Sequence, residues 1–177
     1  SKTFHSGCAI WSNNDDSYIG VMFHNVSQKG KAIHHCAVES RNIDRTEDIC
    51  RQDAARRLRF TVKRTMAVAQ QLYEGIDLGP GEPVGLITYM RTDSTRIAAE
   101  AATEAQQLIL DRFGKDYALD RPRYFKNKKK VQDAHEAIRP TSVFNTPDRV
   151  KPHLSPDQLA LYRLIWQRFV SSQMTQA

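Results

Sequence analysis

From Gln52 onward the chain carries a helical period strong enough to set its class. Leu58, Val62, Met66, Ala69 and Tyr73 recur at steps of three and four, which places them on one face of a helix. Gly75 stands where the C-terminal cap of that helix belongs. A second stripe, Ile97, Ala101, Ala105 and Leu108, predicts a helix capped by Asp93 or Ser94, running to about Phe113 and ended by Gly114. Near the end of the chain, Ser155 and Gln158 predict a capping box, with Pro156 in the first helical position and Leu154 stapling to Leu159. Tyr162, Ile165, Trp166 and Phe169 continue that helix inward, and core packing accounts for these aromatics.

Ahead of this periodic text the pattern is weaker. Residues 18–23 and 32–38 read as two strands joined through Ser27-Gln-Lys-Gly30, a weak hairpin signal. His5, Cys8, His24, His34, His35 and Cys36 invite a metal reading, but their spacings match no usual ligand pattern. The chain therefore divides near Cys50, into an unassigned segment 1–50, β in part by this reading, and a mainly helical segment 51–177. Three cysteines without a CxxC spacing argue against a disulfide framework or a zinc ribbon, and a reducing cytoplasm is the expected compartment. No apolar run is long enough to span a bilayer, so no membrane partner is expected.

Charge points to an anionic partner. The net charge is +6. On the first helix Arg56, Arg57, Arg59, Lys63 and Arg64 fall on the outer arc, and no acid interrupts positions 56–63. Such a surface is most often only solvated. The missing acids favour phosphate contact, because clustered cations release counterions on binding nucleic acid. Residues 121–130, Arg-Pro-Arg-Tyr-Phe-Lys-Asn-Lys-Lys-Lys, allow two readings. One is a solvated lysine loop; the other is a run that follows a nucleic-acid backbone with Lys128 and Lys129 and stacks a base on Tyr124 or Phe125.

The chemistry sits in residues 85–94, Gly-Leu-Ile-Thr-Tyr-Met-Arg-Thr-Asp-Ser. A turn-rich connector, residues 77–83, leads into this apolar, β-branched run, which predicts a short buried strand. It delivers Tyr89 into a loop with Arg91, Thr92 and Asp93, at the start of the next predicted helix. Free backbone N–H groups there favour an anion. A phenol must lose its proton to attack a phosphodiester, and a guanidinium that cannot lose its charge is a suitable neighbour. Residues 135–141, His-Glu-Ala-Ile-Arg-Pro-Thr, predict a short helical turn stopped by Pro140. Taken alone, Tyr89 reads as a tyrosine packed at a sheet edge.

Two motifs in one order overturn that reading. Residues 85–94 and 135–141 closely resemble the active-site motifs of type IA DNA topoisomerases, and so do Ala69-Gln-Gln-Leu-Tyr-Glu-Gly75 and residues 161–169. The resemblance covers roughly residues 52–177. It implies a mainly helical domain of the catabolite-activator type, with one small β element around Tyr89. It implies Tyr89 as nucleophile, Arg91 holding the scissile phosphate, His135 assisting beside it, and Asp93 with Thr92 ordering the site. Arg139 is implied as a weaker phosphate candidate beside the DNA-contacting Arg56, Arg59 and Lys63. The implied reaction cuts and rejoins single-stranded DNA through a 5′-phosphotyrosyl bond, without ATP. A non-catalytic helical module binding single-stranded nucleic acid is the rival. The family also uses magnesium, bound mainly by a toprim domain that nothing here resembles, so the remaining domains of such an enzyme are expected partners. Asp15 and Asp16 lack the required acidic spacing, and residues 1–50 stay open between an unrelated fusion, a divergent piece of the family's arch domain and text read in a shifted frame.

Overall fold

A computed structural model describes residues 8–12, 18–23, 34–39, 46–92, 94–124 and 135–175, with side chains from Cys50 onward. Three strands, β1 (Cys8–Ser12), β2 (Tyr18–Phe23) and β3 (His34–Glu39), form an antiparallel sheet in the order β1-β2-β3. The two expected strands are therefore neighbours, with Tyr18 opposite Glu39 and Phe23 opposite His34. The remainder is mainly helical: α1 (Thr46–Asp53), α2 (Val62–Glu74), α3 (Ala99–Phe113), α4 (Pro147–Val150) and α5 (Pro156–Ser172).

The first long helix is broken where the sequence predicts continuity. After α1 the chain widens into a π-helical turn, Ala54–Leu58, and Arg59 takes a left-handed conformation at φ 58°. Few side chains tolerate that region. The Phe60 amide closes the turn by donating to the Ala54 carbonyl at 3.2 Å, and Phe60 itself is buried. Thr61 then caps α2, its side chain accepting from the Arg64 amide.

The buried stripe of α2 is Thr65, Val68, Ala69 and Leu72, whereas the predicted inner residues Val62 and Tyr73 are 53% and 41% exposed. Spacing gives the period, but the arc that turns inward is the one packed against α5 and the rest of the core.

The other helices follow their patterns more closely. Ala101, Ala105 and Leu108 of α3 are buried with the preceding Ile97, and Gly114 ends the helix at φ 96°. The start of α3, however, lies at Ala99 and not at Asp93 or Ser94. Hydroxyls delay it. The Ser94 amide donates to Thr92 Oγ1 (3.0 Å) and the Arg96 amide to Ser94 Oγ (3.1 Å). These local bonds compete with helical ones. In α5 the capping box of Ser155 and Gln158 is present. Tyr162, Ile165, Trp166 and Phe169 are buried. Tyr162 gives its hydroxyl proton to the Asn145 carbonyl and Trp166 its Nε1–H to the Val143 carbonyl, which anchors residues 143–145 on α5.

Polar contacts join distant segments around this core. α2 packs along α5, and Arg64 pairs with Asp157 across them while its guanidinium covers the Phe60 ring at 4.4 Å. Arg168 on α5 pairs with Asp53 at the end of α1. Gln173 holds Arg123 by both its amide N–H and its carbonyl. Among the described residues no helix is long and apolar enough to cross a membrane.

Candidate active site

The segment that carries Tyr89 is fastened on both sides. Residues 76 and 84 form an antiparallel bridge that turns the 77–83 connector back on itself, each amide donating to the other's carbonyl at 2.9 Å. The chain then passes the end of α2, where the Leu86 amide donates to the Leu72 carbonyl at 2.7 Å. The approach requires glycine. A Cβ at position 85 would lie 2.6 Å from the Tyr73 carbonyl oxygen.

On the other side, residues 86–88 run antiparallel to residues 139–141. The Thr88 amide donates to the Arg139 carbonyl (2.9 Å) and the Thr141 amide to the Leu86 carbonyl (3.0 Å). The expected strand is thus one bridge, Ile87 to Pro140, and residues 135–141 form no helical turn. Proline explains both outcomes. Arg139 precedes Pro140 and is pushed away from helical geometry. Pro140 has no N–H, so it fits only where the flanking residues make the hydrogen bonds, and the ladder stays short.

Side-chain oxygens complete the seam. Thr88 Oγ1 donates to the Ala137 carbonyl at 2.7 Å and accepts from the Arg139 amide at 3.0 Å. Thr141 Oγ1 donates to the Gly85 carbonyl at 2.7 Å, and the Ala137 amide donates to the Arg96 carbonyl at 2.8 Å.

Burial alternates along the loop beyond this seam. Met90 and Thr92 are buried, while Tyr89 (38% exposed) and Arg91 face solvent. The Tyr89 ring stacks with His135 at 6.3 Å between centroids and 28° between planes. Tyr73 meets the same ring edge-to-face at 5.4 Å and 64°. The structure thus brings Tyr89 and His135 together on the seam between the two motifs, and Arg91 stands exposed two residues along the chain. The phenol is not sealed in the core.

Other expected residues are placed differently. The loop is not the first turn of α3, so the anticipated helix-terminus amides do not surround it. Thr92 is buried and braces the backbone through Ser94. Arg139, read as a phosphate contact, is only 9% exposed. Its guanidinium holds Glu136 at 2.6 and 3.2 Å and the Pro140 carbonyl at 2.9 Å, which gives it a bracing job inside the loop. Arg56, Arg59 and Lys63 are exposed, but they straddle the break and do not share one regular helical arc. Asp93, Phe125, Lys128 and Lys129 lie outside the described residues. Tyr73 is what the sequence reading missed as a site residue: its spacing signals core, but it lies beside the buried arc of α2, 41% exposed and against the Tyr89 ring.

Comparison with known proteins decides the family. Residues 45–177 match the family model described as DNA topoisomerase. This chain belongs to the DNA topoisomerase family. It is similar to full-length topoisomerase I from Thermotoga maritima at 44% identity and a TM-score of 0.62, over 74% of this chain and 20% of that one. The resemblance to type IA enzymes carried by residues 85–94 and 135–141 agrees with both matches. The chain spans about a fifth of the Thermotoga topoisomerase I.

Proposed function

We propose that this chain supplies the tyrosine of a type IA DNA topoisomerase, on a helical domain of the catabolite-activator type, and cleaves and rejoins one DNA strand. One observation carries the reading: the exposed Tyr89 ring stacks on His135, a residue brought to it from the second motif.

The chemistry is an in-line transesterification. The Tyr89 oxygen bonds to phosphorus as the bond to the 3′ oxygen breaks, leaving a 5′-phosphotyrosyl link and a 3′-hydroxyl. The phenol loses a proton and the departing oxygen gains one, so none is consumed overall. Bond energy is kept in the covalent intermediate, which is why the exchange reverses without ATP. Arg91 offers permanent positive charge to the oxygens that gain negative charge in the transition state. His135, beside the ring, takes the assisting role at the same phosphate. Asp93 and Thr92 order the loop, and Arg56, Arg59, Lys63, Lys128 and Lys129 draw in the single strand.

Magnesium enters as a family expectation. Among the described residues no three His, Cys, Asp or Glu side chains converge to hold a cation. The donors would come from a toprim domain, a proposed partner along with the enzyme's other domains, and no step is assigned to the metal here. The proposed compartment is the cytoplasm.

The test incubates the chain with end-labelled single-stranded DNA, with and without a supplied toprim domain and magnesium. A denaturation-resistant protein–DNA adduct that vanishes in Tyr89→Phe is the expected result. DNA retention with no adduct under any condition would instead support a non-catalytic single-strand-binding module.

A further inference from the structure

Tyr89 has few restraints on its ring. Two side-chain torsions remain to a tyrosine once its backbone is fixed, and an exposed hydroxyl sweeps a wide arc as they vary. Among the described residues only His135 and Tyr73 make ring contacts with it. In-line attack requires the oxygen to approach phosphorus within about 3–3.5 Å along a narrow direction.

Tyr73 is well mounted to supply that restraint. It stands in the last turn of α2, a helix whose inner stripe is packed in the core. Its carbonyl fills the space a side chain at Gly85 would take, and its neighbour Leu72 accepts the Leu86 amide. The end of α2 and the backbone leading to Tyr89 therefore form one rigid unit, with the two rings edge-to-face at 5.4 Å. Core packing does not explain the ring, because it is 41% exposed.

We infer that Tyr73 is a positioning residue for the nucleophile: its ring, together with the stack with His135, holds Tyr89 in the attacking orientation. The role rests on the proposed chemistry of Tyr89. It requires an aromatic ring at position 73 and not a hydroxyl.

The experiment compares Tyr73→Leu, Tyr73→Gln and Tyr73→Phe in the chain supplied with a toprim domain, magnesium and labelled single-stranded DNA. Rate of adduct formation, DNA affinity and thermal midpoint are measured for each. The ringless variants should form the adduct about tenfold more slowly, with affinity within about twofold of the parent and an unchanged midpoint. Tyr73→Phe should restore the parental rate. Parental rates in the ringless variants would overturn the positioning role while leaving the nucleophile in place. Equal loss in Tyr73→Phe would overturn the requirement for a ring alone. Absence of any Tyr89-dependent adduct from the parent protein would sink the nucleophile and the positioning role together.

Discussion

Thr88 and Arg139 hold each other by reciprocal hydrogen bonds. The Thr88 amide donates to the Arg139 carbonyl at 2.9 Å, and the Arg139 amide donates to the Thr88 hydroxyl at 3.0 Å. One residue sits immediately before the proposed nucleophile, and the other lies in the segment that brings His135. Separate stretches of sequence thereby become one site.

Thr88→Val keeps the shape of the side chain but strands the Arg139 amide and removes the bond to the Ala137 carbonyl. Leaving such groups unpaired costs roughly 1–3 kcal/mol. Urea denaturation should show a loss in that range, and the Tyr89 adduct should form more slowly, because the segment carrying His135 is loosened.

Arg139→Met separates the bracing role from a phosphate contact. Removing one partner of a mostly buried pair leaves Glu136 without its guanidinium, at a cost of about 3 kcal/mol. The thermal midpoint should fall clearly, while the salt dependence of single-strand binding stays unchanged. A shallower salt slope with normal stability would restore the phosphate reading.

Arg59→Ala and Lys63→Ala should do the reverse. Each lost phosphate contact lowers the slope of log affinity against log salt by about 0.7 on a single strand. Both residues are exposed, and neither substitution should lower the thermal midpoint. Fluorescence anisotropy across a salt series reads the slope directly.

Tyr162 should make stability fall at high pH. Burial pushes its hydroxyl well above the ordinary tyrosine value of 10.0. The folded state thus holds a proton that the unfolded chain gives up first. The contribution is complete below about pH 10 and drains away as pH rises toward the folded value. Denaturant midpoints of the parent and Tyr162→Phe should therefore begin to converge as pH rises above about 10.

Local chemistry made part of this molecule legible in the sequence. Ser155, Pro156 and Gln158 specify a helix start through bonds made within one turn, and the box is present. Gly114 ends α3, and the inner stripes of α3 and α5 follow from spacing because no break interrupts them. The two motifs likewise identify the family, since residue order alone carries them.

Other features depended on partners far away in the chain. Tyr73 faces Tyr89 because the segment leading to Tyr89 passes the end of α2, with Gly85 against the Tyr73 carbonyl and the Leu86 amide bonded to Leu72. Residues 135–141 form no helical turn because Thr88 and Arg96 take their backbone groups. Arg139 turns inward because Glu136 and the Pro140 carbonyl meet it there. Sequence by itself determined the start of α5, the end of α3 and which motifs this protein carries, because residue order and bonds within a turn or two decide them. Only the tertiary structure decided how the tyrosine and histidine meet, because hydrogen bonds between distant segments set that geometry.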